Sequence, residues 1–201
     1  NLKEAWLKNL QDLNICSQKG LVERFDSTIG AASVLMPFGG SWQATPSEGM
    51  VAKIPVLSGE TTTGTIMTYG FNPYLAEWSP FHGAVYAVLE AVAKVTALGG
   101  DYRQARLTLQ EYFPKLGRDK EKWGQPISAL LGAYYAQKQL GIPAIGGKDS
   151  MSGTFKDLHV PPTLVGFAVT PVDVAQVISQ EFKAGKHPVV YFPVPKDNLM
   201  M

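Results

Sequence analysis

Apolar residues recur at helical spacing in three stretches of the chain. Over residues 3–13, Trp6, Leu7, Leu10 and Leu13 fall among Lys, Glu and Gln, which predicts an amphipathic helix. Over about 80–98, Val85, Val88, Leu89, Val92 and Val95 share one face. Pro80 suits the first turn of that helix, where a missing N–H costs nothing, and Gly99-Gly100 ends it. Over about 126–140, Ile127, Leu130, Leu131 and Tyr134 form a third stripe, expected to be buried, with Gly141 as the cap.

Between the helical stretches lie short runs with strand character: "ASVLMP" at 31–36, "MVAKIPVL" at 50–57 and "TTTGTIMTYG" at 61–70. Gly39-Gly40 and Ser58-Gly59 punctuate them as turns. The Pro-, Asn- and Trp-rich stretch 71–80 reads as loop, and "ARLTLQEYF" at 105–113 is ambiguous between strand and loop. "IPAI" at 142–145 predicts a short buried strand with a glycine loop at its C-terminal end. "PTLVGFAVTPV" at 162–172 predicts another strand, followed by a short helix to Phe182 and a last strand at 188–194. Strands and helices are mixed rather than strictly alternating. That favours an α+β fold, a mixed β-sheet layered with helices, over a Rossmann sheet.

Composition narrows the class. The 201 residues are long enough to bury a full core, and a 45% hydrophobic content describes an ordinary globular chain. No apolar run approaches the length that spans a bilayer, so no membrane association is expected. The start, Asn1-Leu2-Lys3-Glu4, has neither the charged nor the apolar region of a signal peptide. The single Cys16 excludes an internal disulfide framework and is compatible with a cytoplasmic location. Net charge is +1 with scattered Lys and Arg, which does not predict a nucleic-acid partner. The chain begins without Met and stops just after "VVYFPVPKD", so a piece of a longer protein is expected.

The densest chemistry lies in "AIGGKDSMSGTF", residues 144–155. A Walker loop requires Gly five residues before Gly-Lys-[Ser/Thr]. Here that position is Ile142, and Asp149 follows Lys148, so the Walker reading fails twice. A dinucleotide fingerprint fails too, for want of Gly-x-Gly-x-x-Gly after a strand. Two adjacent glycines still let backbone N–H groups approach an anion. Lys148 suits a phosphate, and Asp149 suits a Mg²⁺ that such a phosphate carries. The competing reading is a strand-to-turn corner with a surface Lys–Asp pair.

"GIPAIGGKDSMS" (141–152) closely resembles a signature of the phosphoribosylformylglycinamidine synthase family, the formylglycinamide ribonucleotide amidotransferases. "CSQKGLVERFDSTIG" (16–30) resembles the family's Ser-Lys…Asp-x-[Thr/Ser]-Val-x-Gly segment. "GGSWQATPSEGMVAKIPV" (39–56) is similar to its Pro-x-x-Asp/Glu lead into a strand. "AVYAVLEAVAKV" resembles its Glu-bearing helix and "VPPTLVGFAVTPV" its Pro-x-x-Leu-Val strand. The matches run in order over about 16–172. The resemblance implies a multi-part purine-pathway ligase with two copies of a unit like aminoimidazole ribonucleotide synthetase and a glutaminase domain. Its reaction converts formylglycinamide ribonucleotide, ATP and glutamine to the amidine, ADP, phosphate and glutamate. On this resemblance, residues 1–184 are the first domain of the second copy and 185–201 begin the next domain.

The resemblance also implies a nucleotide site in this copy that holds Mg-ADP and is structural rather than catalytic. The family's metal-binding acid before the strand matches Glu48, and its helix acid matches Glu90. The Asn four residues on is replaced by Lys94, a departure, since an ammonium cannot ligate Mg²⁺. The competing reading of Glu90 and Lys94 is an ordinary i,i+4 surface pair, and of Glu48 a plain turn acid. The loop residues Gly146, Gly147, Lys148, Asp149 and Ser150 match the nucleotide-contacting turn, with Asp149 as a third metal-binding candidate.

No catalytic residue is assigned. His82 and His159 have no partner at a useful spacing, and Cys16 has no recognisable base. Phe71, Tyr74, Trp78 and Phe81 are expected in core packing. Two readings of the chain stand side by side: a nucleotide-binding domain of the ligase, working with the first synthetase-like unit and the glutaminase domain, or a scaffold domain of the same enzyme that has lost its nucleotide. A free-standing small-molecule kinase of the same superfamily fits less well. In the superfamily such domains pair through their sheets, so an isolated copy is expected to form a homodimer.

Overall fold

A computed structural model of the chain describes residues 1–25 and 31–193. Residues 26–30, the end of the resemblance segment at 16–30, and residues 194–201, the end of the 185–201 stretch, therefore lie outside the described residues. Helix α1 (Leu2–Leu10) opens the chain, capped by the Asn1 side chain, and buries none of its residues. A short α2 (Lys19–Val22) follows. Then come strands β1 (Ser33–Leu35), β2 (Phe38–Gly39), β3 (Thr45–Pro46), β4 (Gly49–Lys53) and β5 (Thr63–Gly70).

The stretch expected as loop at 71–80 contains a helix, α3 (Pro73–Trp78). Its start is readable in retrospect, because Asn72 accepts a hydrogen bond from the Leu75 N–H and Pro73 opens the first turn. Ser79 caps α4 (Pro80–Ala97) in the same manner. The ambiguous stretch is strand β6 (Arg106–Tyr112). Helix α5 (Lys120–Leu140) begins six residues before the expected start, at an Asp119 cap, and ends on left-handed Gly141. Strand β7 (Ala144–Ser150) takes in the whole Gly-Gly-Lys-Asp-Ser motif, which is thus strand and not loop. The small hairpin β8 (Thr154–Phe155) and β9 (Leu158–His159) leads to β10 (Thr163–Asp173). Only a single 3₁₀ turn, Val174–Gln176, stands where a helix to Phe182 was expected. Residues 188–193 form no strand.

Six strands make one mixed sheet in the order β1-β4-β5-β10-β6-β7. Every pairing is antiparallel except β6–β7, which the long helix α5 connects as a parallel pair. Helix α4 packs across β5 and β10, and α5 packs beside α4. Between the sheet and helices lies a core of Val51, Ile66, Val88, Val95, Leu107 and Phe113, all buried. The architecture is the α+β layer arrangement that the sequence pattern predicts.

One helix face was misassigned. Ile127, Leu130, Leu131 and Tyr134 are each more than half exposed, whereas Ala129, Gly132, Ala133 and Ala136 are buried. The reason is steric. A Cβ on Gly132 would lie 2.1 Å from the Phe81 carbonyl oxygen, so α5 presses its small-residue face onto α4. The bulky stripe is left outside. Tyr74 and Trp78 are exposed as well, contrary to the expectation of core packing.

Candidate functional site

The structure separates the candidate residues into two places, one beside β4 and α4 and the other on the edge strand β7. Glu48 lies just ahead of β4, and Glu90 and Lys94 lie on α4, one turn apart. The strand β5 meets α4 closely here, since a Cβ on Gly70 would sit 2.1 Å from the Ala87 carbonyl oxygen. That approach lets the Phe71 N–H donate to Glu90 Oε2 at 3.1 Å. The other Glu90 oxygen, Oε1, is 2.7 Å from Lys94 Nζ, and Glu48 Oε2 is 3.0 Å from the same nitrogen. Lys94 also donates to the Tyr69 carbonyl at 3.1 Å and lies 4.6 Å from the Tyr69 ring centre. Its side chain is only 14% exposed. Burial works against its charge, but the hydrogen bonds and charges of Glu90 and then Glu48 outweigh it and hold the ammonium above the usual lysine range.

Asp149 lies elsewhere. It is on edge strand β7, four strands from β4, a separation on the order of 20 Å at ordinary strand spacing. Its register partner is Glu111 of β6. Alternation along β7 puts Gly147 and Asp149 on the helix side with Leu109 and Glu111, and Lys148 on the other side. Lys148 Nζ accordingly stands 5.6 Å from the centre of the Tyr112 ring. Ser150 Oγ is hydrogen-bonded with Ser152 Oγ at 3.0 Å. Lys148 and Asp149 therefore do not point into one space.

The helix side of this edge is a cleft of about 450 Å³, lined by Leu109, Glu111, Leu130, Gln137 and residues 144–149. Gln137 anchors α5 to the start of β7, its Oε1 accepting from the Ala144 N–H at 2.7 Å. Glu111 Oε1 is buried there without a hydrogen-bond partner. Burial, and then the charge of Asp149, raise the Glu111 carboxyl above its ordinary pKa. Glu111 was not among the sequence candidates. The signal was present, since it occupies an inward position in the alternation Leu107, Leu109, Glu111.

The two places differ in how they would receive a divalent cation. Between Glu48 and Glu90 the space already holds a charged amine with an acceptor for each of its three N–H bonds, so Mg²⁺ does not fit there. Glu111 and Asp149 form an acidic pair with an orphaned oxygen, which suits a cation. Among the described residues, no three His, Cys, Asp or Glu side chains come together as a metal-binding group. Among those residues, no helix is long and apolar enough to cross a membrane.

The chain matches no protein-family model. It is 28% identical over 175 residues to the phosphoribosylformylglycinamidine synthase subunit PurL of Pyrobaculum aerophilum, covering 87% of this chain and 23% of that one. With the same subunit of Nitrobacter winogradskyi it shares 28% identity over 188 residues, 93% of this chain and 24% of the relative. These curated homologues match most of the chain, and the chain spans about a quarter of their length. Among solved structures, PurLQS of Thermotoga maritima superposes with a TM-score of 0.65 at 21% identity, over 83% of this chain and 25% of that one. T. maritima PurL complexed with ATP gives 0.60 at 22% identity, over 81% and 24%. The chain has the fold of that segment of PurL.

Proposed function

We propose that the chain is the first domain of the second synthetase-like unit of a phosphoribosylformylglycinamidine synthase, with residues 1–184 forming the domain and 185–201 leading into the next. The observation that carries this reading is the homology to PurL across 87% of the chain, together with the shared fold. The whole enzyme would convert formylglycinamide ribonucleotide, ATP and glutamine to the amidine, ADP, phosphate and glutamate in the cytoplasm. This domain would work beside the first synthetase-like unit and a glutaminase domain, and alone it would not turn over.

Within it, residues 146–150 of β7 are the proposed nucleotide contact. An edge strand leaves half of its backbone N–H groups unpaired, and Gly146 and Gly147 carry no side chain to keep a phosphate away. Asp149 with Glu111 would hold the accompanying Mg²⁺, which would offset phosphate charge. Lys148, on the opposite side of the strand, would reach only a part of the ligand that passes around the sheet edge.

A second reading, the scaffold domain, is favoured by Lys94, because one of the two acidic sites has its own cation. Calorimetric titration with ADP, with and without Mg²⁺, separates the readings when Asp149→Ala is run beside the wild type. Mg²⁺-dependent binding that is lost in the variant supports the nucleotide site. A folded wild-type chain that binds nothing supports the scaffold.

The face of the sheet away from α4 and α5 exposes Met50, Met67, Tyr69 and Tyr112. An apolar face of this kind needs a partner sheet. In the isolated chain a second copy would supply it, so sedimentation at micromolar concentration is expected to give a dimer. A clean monomer would count against that pairing.

A further inference from the structure

We infer that Lys94 is a built-in cation that permanently takes the place of a divalent metal between Glu48 and Glu90, making this corner a metal-independent clasp. The geometry shows a complete coordination shell around nitrogen. An ammonium has three N–H bonds, and here they meet Glu90 Oε1 at 2.7 Å, Glu48 Oε2 at 3.0 Å and the Tyr69 carbonyl at 3.1 Å. The Tyr69 ring covers the nitrogen on a further side. No N–H remains for a phosphate, so the corner is closed to an anionic ligand as well as to a metal.

The contacts join three parts of the fold that are distant in sequence. They are the lead into β4, the C-terminal end of β5 and the last two turns of α4. A hard divalent ion bound by two carboxylates and a backbone carbonyl would make the same three connections, all through oxygen. Replacing it by a tethered amine removes any dependence on free metal concentration. The ion is part of the chain and has no translational entropy to lose on binding. This inference does not rest on nucleotide binding at β7, and the experiment below uses no nucleotide.

The test is Mn²⁺ titration of the folded chain, followed by loss of the free-ion electron paramagnetic resonance signal. Wild type and Glu90→Gln should take up equal amounts of Mn²⁺, because Glu90 is not available to metal. Lys94→Asn should gain one site, at least about tenfold tighter than any wild-type uptake at this corner, and Lys94→Asn/Glu90→Gln should lose it again. Uptake by the wild type that Glu90→Gln abolishes would overturn the inference, as would a folded Lys94→Asn that gains nothing. A second measurement needs no variant. The ¹⁵Nζ–¹H signal of the Lys94 ammonium should persist unchanged in millimolar Mg²⁺, and its displacement by Mg²⁺ would overturn the inference equally.

Discussion

The corner at α4 and the edge at β7 each bring two carboxylates together, and they resolve the repulsion in different ways. At the corner, Lys94 neutralises Glu48 and Glu90 and ties both to the backbone. At the edge, Glu111 and Asp149 face each other with no lysine or arginine paired to them among the described residues; burial, and then the Asp149 charge, raise the Glu111 pKa, and Glu111 Oε1 has no hydrogen-bond partner. A site satisfied from within has nothing left to offer a ligand. A site left unsatisfied holds free energy that a bound cation can release. Among the described residues the same sheet thus carries one closed and one open acidic pair, and the open one is the proposed binding site.

The largest expected effect lies at Gly70, where β5 meets α4. Gly70→Ala places a methyl group against the Ala87 carbonyl, forces β5 and α4 apart, and is expected to cost about 3 kcal/mol or more in urea unfolding. Gly146→Ala at the exposed edge meets no neighbouring atom, so its cost is limited to the backbone strain of φ +156°, about 1 kcal/mol. Lys94→Met comes next. It leaves two carboxylates without their cation, and because both are substantially exposed the loss should be about 1–2 kcal/mol. A loss indistinguishable from zero would mean that the corner is an ordinary surface pair.

At the edge the sign reverses. A carboxyl with a raised folded pKa binds its proton more tightly in the native state than in the unfolded chain. Stability is therefore lost as pH rises from the ordinary Glu value through the folded one. Glu111→Gln should accordingly stabilise the chain at neutral pH by less than about 1 kcal/mol, since solvent screens a half-buried charge. The gain should vanish below about pH 4, where the wild-type carboxyl is also neutral. The smallest expected effect is that of Asp149→Asn, which removes only the second cause of the shift. Carbon-detected NMR titration should show the Glu111 pKa moving part of the way down.

Much of this arrangement was legible in the sequence. Pro80 in the first turn and the valine face place α4, and with it Glu90 and Lys94, within one residue of where they are observed. The replacement of an Asn by Lys94 also announced that the corner would not be an ordinary metal site. Periodicity could not say which stripe of α5 faces inward. Helix contact distance decides that, and the tight α4–α5 crossing admits Gly132 and Ala133 but not Leu130 and Leu131. The Gly-Gly pair hid the strand character of 144–150, because β7 is held by pairing to β6 and not by its own residue preferences. Glu111 was hidden for a related reason, since its role depends on the strand laid beside it.

On the proposed function, the open acidic pair at β7, and not the closed corner at α4, faces the ligand. The most direct test is an amide NMR titration of the wild-type chain with ADP and Mg²⁺. A ligand at β7 predicts shifts confined to residues 146–150 and Glu111, with Phe71, Glu90 and Lys94 unmoved. Shifts at Phe71, Glu90 and Lys94 with a silent β7 would contradict it.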